Sequence, residues 1–181
     1  VVAAPTRRPH GSGAGSSTGG ALLGPGRRLA ASCCLRRLAA VQDAVAVIAS
    51  DLGRPISFVP VALPAVRGNR DRLVLAVVNV LRNAAQSRSG GEVTIRVSAG
   101  TNTGAEVFIA VDDDGPGVPP EHRANVFEPG FSLRPDGTGQ GLSLVREVVE
   151  TEMAGRAVCE GSQLGGARFV IRLPVGTRRN G

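Results

Sequence analysis

The chain has 181 residues, enough for one ordinary domain with a tail, and a formal net charge of +6. Residues 1–40 carry six Arg and no acid, whereas residues 41–181 carry 15 Arg and 15 acids, so the folded part has no net field that would favour nucleic acid. All 21 basic residues are Arg, which excludes a Walker A loop, a eukaryotic-type protein kinase site and a lysine Schiff base, because each of these needs a Lys.

The first residues have the composition of a linker. Residues 1–35 are rich in Gly, Ser, Pro and Ala and contain no acid, which predicts a low-complexity, basic and disordered linker. We assign a domain to residues 36–175 and a short tail to residues 176–181. No apolar run approaches the roughly 20 residues that span a bilayer, so the sequence predicts no membrane segment and a cytoplasmic location.

Apolar residues recur at helical spacing in some segments and at alternate positions in others. The predicted helices are Arg36–Asp51, Arg70–Ser87, a short one at Pro120–Asn125, and Gly141–Glu152. The predicted strands are Ile56–Val59, a strand pair around Val93–Val97 and Val107–Val111, then Arg156–Glu160 and Arg168–Leu173. Helices interspersed with antiparallel hairpins favour a two-layer α/β sandwich.

The second long helix carries two amides one turn apart. Asn79 and Asn83 are four residues apart, which places both side chains on one face of the helix. An amide oxygen is a hard, neutral ligand that suits Mg²⁺, an ion that leaves most of its positions to phosphate and water. Taken alone, the pair is better explained as surface or capping amides, because Asn readily bonds to local backbone.

Three acids and two glycines follow the strand that ends near Val111. In the run Asp112–Gly117 (DDDGPG) the glycine that follows the acids comes too early for a 12-residue calcium loop, and no late Glu is in register. If the run is instead a D-x-G-x-G motif, Asp113 faces inward. Its carboxylate would then accept a hydrogen bond from an exocyclic amine such as that of adenine. Gly115 and Gly117 would then let the backbone approach a flat ligand. On turn chemistry alone, a solvated turn fits equally well.

Two further motifs come later in the chain. In Phe127–Phe131 (FEPGF) two aromatic residues flank a Pro-Gly hinge, and both are expected in the core; Arg134 follows soon after. The run Gly137–Leu142 (GTGQGL) opens a helix, where free backbone N–H groups and the helix dipole favour an anion. Each of these motifs is weak evidence when it is taken alone.

Together the four motifs form the order Asn-box, D-x-G-x-G, F-box and G-x-G-x-G, which resembles the catalytic and ATP-binding domain of sensor histidine kinases. That domain shares a superfamily with gyrase-type topoisomerases, Hsp90-type chaperones and MutL proteins. The resemblance covers about residues 38–174 and implies a Bergerat-type fold, with a mixed sheet covered on one face by helices. The run FSLRPDGTGQGLSLV is most similar to short-lidded kinases of the nitrogen-regulatory and oxygen-sensing type.

The resemblance also implies ATP and Mg²⁺ as ligands and gives roles to the matching positions. Asn83 would ligate Mg²⁺, with Asn79 assisting at the phosphates, and Asp113 would read the adenine amine. Residues 127–137 would form a short ATP lid, in which Arg134 takes the place of the family's Lys or Arg, so that Asn79, Asn83 and Arg134 form the expected catalytic set. The other implied ATP-binding positions are Gly115, Gly117, Phe127, Gly137, Thr138, Gly139, Gly141 and Leu142.

Position 79 distinguishes the branches of this superfamily. The branches that hydrolyse ATP place a general-base Glu where this chain has Asn79, and an amide cannot deprotonate water. Transfer to a protein acceptor is therefore favoured over hydrolysis. The resemblance implies transfer of the γ-phosphoryl group to a His on a separate dimerisation domain, with a response regulator downstream, in a two-component signalling system.

The chain also departs from the family pattern. Neither His10 nor His122 stands in the family's phospho-acceptor context, so we expect a kinase that is incomplete without its acceptor domain. Gly130 replaces a usual Phe and is expected to loosen the lid, and Ala167 replaces a usual Thr and is expected to weaken ATP binding. Two alternatives stay open: an anti-sigma-type Ser/Thr protein kinase on the same fold, and a degenerate ATP-sensing adaptor without transferase activity.

Overall fold

The computed structural model describes residues 39–53, 56–88 and 92–176. The helices are α1 (Ala39–Leu52), α2 (Arg70–Ala85) and α3 (Gly141–Arg146), and the strands are β1 (Ser57–Phe58), β2 (Ile95–Asn102), β3 (Glu106–Asp113), β4 (Arg156–Gly161) and β5 (Ala167–Pro174). The predicted linker, His10 and the tail beyond Gly176 lie outside the described residues. The domain boundaries therefore stay predictions.

The strands form one mixed sheet in the order β1-β2-β3-β5-β4. β1 pairs with β2 in parallel, and the other pairs are antiparallel. The register places Val111 of β3 opposite Val97 on one side and Phe169 on the other. This confirms the predicted mixed sheet, in which β2, β3 and β5 are the interior strands.

The helices cover one face of the sheet, and the alternation of β3 shows which face it is. Val107, Ile109 and Val111 are almost fully buried and belong to the same apolar core as the buried residues of α1 and α2. Because side chains of a strand alternate between faces, Asp113 continues this core-facing row. The site is therefore placed where a buried strand ends beneath a helix.

α2 begins at a defined cap and buries an apolar stripe. The side chain of Asn69 accepts hydrogen bonds from the backbone N–H groups of Asp71 and Arg72, at 2.8 and 3.3 Å, which satisfies two donors that the helix leaves unpaired. The buried residues Leu73, Ala76, Val77, Val78, Val80, Leu81 and Ala84 recur at helical spacing. The opposite side of the helix carries its polar residues.

Most predicted elements are present with shifted ends. α2 ends at Ala85 rather than Ser87, and the segment predicted as one helix from Gly141 to Glu152 is α3 followed by a wider π-helical segment, Glu147–Glu152. The short helix after Pro120 is a single 3₁₀ turn, Pro120–His122. Among the described residues, the structure has no helix that is both long and apolar enough to cross a membrane.

Candidate functional site

A cavity of about 620 Å³ opens between α2, the end of β3, the loop before α3 and the start of β5. Its wall contains most of the residues that the sequence motifs single out. They are Asn79, Asn83, Asp113, Gly117, Arg134, Thr138, Gly139, Gly141 and Leu142. Residues far apart in sequence thus meet at one site, which is the arrangement that a shared ligand requires.

Asp113 is the most deeply buried polar residue of the site, with 1% of its surface exposed. Its Oδ1 atom accepts hydrogen bonds from the backbone N–H groups of Gly115 at 2.9 Å and Ala167 at 3.2 Å. Its Oδ2 atom has no hydrogen-bond partner among the described residues. Burial raises the pKa of this carboxyl group, and the two backbone hydrogen bonds only partly oppose the increase.

The two neighbouring acids have different surroundings. Asp112 points to the other face of the sheet, where Arg168 lies 2.7 Å away and Ser162 donates a hydrogen bond at 3.0 Å. Asp114 accepts a hydrogen bond from the Thr94 backbone N–H at 2.9 Å, which lowers the pKa of its carboxyl group. Of the three acids, Asp113 is the one in the cavity wall.

The two amides of α2 lie on the cavity wall one turn apart. The Nδ2 group of Asn79 donates a hydrogen bond to the Leu75 carbonyl oxygen at 2.8 Å, which fixes the orientation of the amide. Its Oδ1 atom faces the glycine loop (residues 137–141), since a Cβ built on Gly141 would lie 3.2 Å from it. The amide oxygen of Asn79 is thus directed towards the start of α3.

The glycine loop packs backbone to backbone against the F-box segment. Gly130 donates a backbone hydrogen bond to the Gly139 carbonyl oxygen at 3.1 Å, and both glycines have positive φ, +79° and +67°. A Cβ at Gly139 would lie 2.6 Å from the Gly130 Cα atom, closer than real contacts allow. Gly139 therefore has no room for a side chain, whereas a Cβ on Gly130 would meet open space and only the positive φ favours glycine at position 130.

Arg134 is directed at the end of α2. Its guanidinium donates hydrogen bonds to the Gln86 backbone carbonyl at 2.9 Å and to the Gln86 side-chain oxygen at 3.2 Å. Gln86 is the C-terminal cap of α2, where the helix dipole is negative and a cation is stabilised. The cation predicted to face phosphate is thus held by protein oxygens at the edge of the cavity.

Three predicted residues do not reach the cavity wall: Gly115, Phe127 and Gly137. Phe127 is 5% exposed and packs edge-on against Phe169, with ring centroids 6.2 Å apart, so the structure places it in the core behind the site. The Gly115 backbone N–H donates a hydrogen bond to the Asp113 carboxylate. The Gly137 backbone N–H donates to the Arg134 carbonyl oxygen and so closes a turn.

The motifs missed several residues of the wall. Phe169 and Ala167 come from β5, and Ser87 follows the C-terminal cap of α2. Ala167 donates its backbone N–H to Asp113, a contact that every residue except Pro supplies, and the weakening of ATP binding expected from its side chain stays a prediction. The strand register could have indicated Phe169, because Phe169 lies opposite Val111 on the core-facing row.

Comparison with known proteins agrees with this geometry. Residues 68–177, more than half of the chain, match the family described as histidine kinase-, DNA gyrase B- and HSP90-like ATPases. The chain belongs to this family. The family match confirms the expected ATP-binding domain, and the whole site described above lies within it.

Relatives within this family identify the branch. The chain is 40% identical over 122 residues to the sensor-type histidine kinase PrrB of Mycobacterium tuberculosis, covering 66% of this chain and 26% of PrrB. It is 34% identical over 140 residues to the sensor protein CitS of Halalkalibacterium halodurans, covering 74% of this chain and 26% of CitS. The chain thus spans about a quarter of the length of these relatives. The matched region is a histidine-kinase ATP-binding catalytic domain. Neither the Ser/Thr protein kinase nor the ATP-sensing adaptor is favoured.

Solved structures of this family have the same fold. The ATP-binding domain of PrrB from M. tuberculosis aligns with a TM-score of 0.59 at 34% identity, covering 76% of this chain and 95% of that one. Full-length ShkA in complex with AMPPNP aligns with a TM-score of 0.62 at 28% identity, covering 76% of this chain and 30% of that one. The histidine kinase ThkA in complex with the response regulator TrrA, at 20% identity and a TM-score of 0.63, supports the fold alone; the two chains are covered to 78% and 41%.

Proposed function

We propose that the domain binds Mg-ATP in this cavity and transfers the γ-phosphoryl group to a His on a separate dimerisation domain. The observation that carries the proposal is Asp113, whose Oδ2 atom is buried at the cavity wall without a partner among the described residues. A buried acceptor without a donor costs about 1–3 kcal/mol, which a ligand with a matching donor would recover. The exocyclic amine of adenine is such a donor.

The fixed half of the Asp113 carboxylate supports this role. Because Oδ1 already accepts two backbone hydrogen bonds, the carboxylate cannot rotate freely, and Oδ2 keeps one direction. Guanine carries an oxygen where adenine carries its amine, so two hydrogen-bond acceptors, this oxygen and Asp113 Oδ2, would face each other. The site should therefore select ATP over GTP.

The opposite end of the cavity has the donors that a triphosphate needs. The backbone of Thr138–Gly141 lines the wall, and α3 begins without a side-chain cap, so its first N–H groups are not taken by a capping side chain. Asn83 supplies a neutral oxygen from α2, which fits Mg²⁺ as a hard ligand. When bound, Mg²⁺ would neutralise phosphate charge. Among the described residues, no group of three or more His, Cys, Asp or Glu side chains is placed to hold a metal.

The chemistry of Asn79 favours transfer over hydrolysis. Its amide donates to the Leu75 carbonyl and has no useful pKa, so it can orient a phosphate oxygen or a water but cannot take a proton from water. Arg134 would leave Gln86 and place its forked donors on the transferring group, as guanidinium groups do with phosphates. Catalysis would then rest on positioning and charge neutralisation.

Two solved structures of relatives support the proposed ligand and partner. ThkA has been solved with the response regulator TrrA, and ShkA with AMPPNP. We infer that the nucleotide-loaded domain acts on a helix-pair domain bearing a His, and that the phosphoryl group then passes to a response regulator. Localisation in the cytoplasm, where ATP and such regulators occur, is part of the same proposal.

Transfer can be tested with γ-labelled ATP, Mg²⁺ and a set of helix-pair domains from sensor kinases such as PrrB. We expect protein-bound label that is lost in acid, because phosphohistidine is acid-labile. Acid-stable label would instead indicate a Ser or Thr acceptor. Rapid release of inorganic phosphate, with no labelled protein in any pairing, would contradict the proposal by showing that water is the acceptor.

A further inference from the structure

Besides Asp113 Oδ2, a second polar atom of the cavity has no assigned role. It lies at the base end, the end of the cavity that contains Asp113. Ser87 lines the cavity wall, and its Oγ atom is buried without a hydrogen-bond partner among the described residues. Only one other buried side-chain atom in the described part of the chain is in the same situation, and it is Oδ2 of Asp113. The two unpartnered oxygens thus belong to the same cavity.

Gly115 shows how close the two side chains are. A Cβ built on Gly115 would lie 2.7 Å from the Ser87 Cβ atom and 2.8 Å from the Asp113 Oδ1 atom, so both residues border the same small space. Any residue other than Gly at this position would collide with both side chains, so at least one of them would have to move. The glycine therefore keeps the hydroxyl group and the carboxylate beside one another.

The backbone around Ser87 is fixed by the end of α2. The Ser87 N–H donates to the Ala84 carbonyl oxygen at 3.1 Å, and the preceding residue, Gln86, is the helix cap that also holds Arg134. The serine hydroxyl is therefore presented by a stable helix terminus. Its hydrogen can rotate freely, because no hydrogen bond within the described residues holds the oxygen.

The two groups have complementary hydrogen-bonding chemistry. An ionised carboxylate only accepts hydrogen bonds, whereas a hydroxyl group can also donate. Adenine presents its amine donor next to ring nitrogens that only accept, N7 on one edge and N1 on the other. A site with an acceptor and an adjacent donor matches two neighbouring atoms of one adenine edge.

We infer that Ser87 is a second base-reading residue, whose hydroxyl donates to the adenine ring nitrogen next to the amine that Asp113 accepts. This inference rests on the proposed function, because it assumes ATP in the cavity. The hydroxyl would add specificity that the amine contact alone does not give, namely discrimination against purines that lack the ring acceptor. The sequence motifs gave no indication of it, because Ser87 lies outside all four of them.

The inference is tested by measuring dissociation constants for ATP, 7-deaza-ATP and 1-deaza-ATP, in which N7 or N1 is replaced by C–H. For the unchanged chain we expect one of the two analogues to bind about 5- to 10-fold more weakly than ATP, since the hydroxyl then faces carbon. Ser87→Ala should bind ATP about 5- to 10-fold more weakly and should no longer distinguish ATP from that analogue.

Ser132→Ala is the matched control, because Ser132 also lines the wall but its hydroxyl already donates to the Arg134 carbonyl at 3.0 Å. This variant should keep the full preference for ATP over the analogue. Without nucleotide, Ser87→Ala should melt no lower than the unchanged chain, because it removes a buried hydroxyl that has no partner.

The outcomes separate this inference from the proposed function. If the unchanged chain binds ATP but treats both analogues like ATP, the inference is wrong, and this result needs no variant to fold. Equal ATP affinity of Ser87→Ala and the unchanged chain would also overturn it while leaving the proposed function intact. If the unchanged chain does not bind ATP at all, the proposed function fails and the inference fails with it.

Discussion

The two ends of the cavity are built differently. The base end, Asp113 with Ser87 and the start of β5, consists of buried polar groups at the ends of paired strands and α2. The phosphate end, residues 130–141, consists of loop backbone and the side chain of Arg134, held by a few hydrogen bonds. One end is part of the core and the other is a surface loop.

This difference indicates which parts of the site are preformed. Strand register fixes the base end, and its unpartnered oxygens are a cost that the folded protein carries without ligand. The phosphate end holds no buried unpartnered side-chain atom among the described residues, because Arg134 is satisfied by Gln86. We therefore expect the base end to set nucleotide identity and the phosphate end to rearrange when nucleotide binds.

Asp113→Asn should have the largest effect on binding. The amide oxygen can keep both backbone hydrogen bonds of Oδ1, but its NH₂ group would face the adenine amine as a second donor. ATP affinity, measured by calorimetry, should fall by about 10- to 100-fold, the loss expected for a charge-assisted hydrogen bond.

Asp112→Asn is the matched control for that variant. Asp112 lies on the other face of the sheet and pairs with Arg168, so its loss should lower the free energy of unfolding by about 1–3 kcal/mol and leave ATP affinity unchanged. A similar loss of affinity in both variants would show that the core-facing position of Asp113 has no special role.

Asn83→Ala tests the α2 side of the cavity, where Mg²⁺ is proposed to bind. If the Asn83 amide oxygen ligates Mg²⁺, the variant should bind ATP about tenfold more weakly in Mg²⁺ and no more weakly in excess EDTA. The same loss under both conditions would show that Asn83 contacts the nucleotide directly or acts on the fold. Melting without nucleotide distinguishes these two, because Asn83 is only partly buried and its loss should change stability little.

Arg134→Ala should have a smaller effect on binding than either variant. The guanidinium must give up its hydrogen bonds to Gln86 before it can contact phosphate, so its net contribution to ATP affinity should be about threefold or less. The rate of phosphoryl transfer should fall more than the affinity, because charge develops on the transferring group. Gln86→Ala, which keeps the backbone carbonyl, is the control and should leave both values close to those of the unchanged chain.

The pH dependence should show a small effect with a definite sign. Burial raises the pKa of the Asp113 carboxyl group in the folded state, so above its ordinary pKa the folded chain holds this proton more tightly than the unfolded chain. Stability without ligand therefore falls as pH rises from the ordinary pKa through the raised one. Urea unfolding should show Asp113→Asn gaining stability relative to the unchanged chain across that window, and a difference independent of pH would contradict the account.

The sequence predicted the fold well because its signals are periodic. Alternation in Val107–Val111 and the helical stripe of α2 determine which faces meet, and this placed Asp113 and Asn83 at one cavity. The change from α3 to the wider π-helical segment Glu147–Glu152 could not be predicted, since both forms keep nearly the same apolar pattern.

The site was predicted less completely because motifs do not report packing. Phe127 packs in the core, as expected for an aromatic residue, and not among the ATP-binding positions that the resemblance implies, whereas Ser87 belongs to no motif and lies on the wall. The position of Ser87 on the wall depends on contacts between distant segments, which local sequence does not encode. Gly139 is similar, because only its contact with the Gly130 backbone explains why no side chain fits there.

The most direct test of the account is the melting of the described domain with and without a non-hydrolysable Mg-ATP analogue. At a ligand concentration of 100 times the dissociation constant, binding should stabilise the fold by about 2.7 kcal/mol, and GTP at the same concentration should stabilise it much less. No stabilisation by the ATP analogue at millimolar concentration, in a chain shown to be folded, would contradict the claim that this cavity is a nucleotide site.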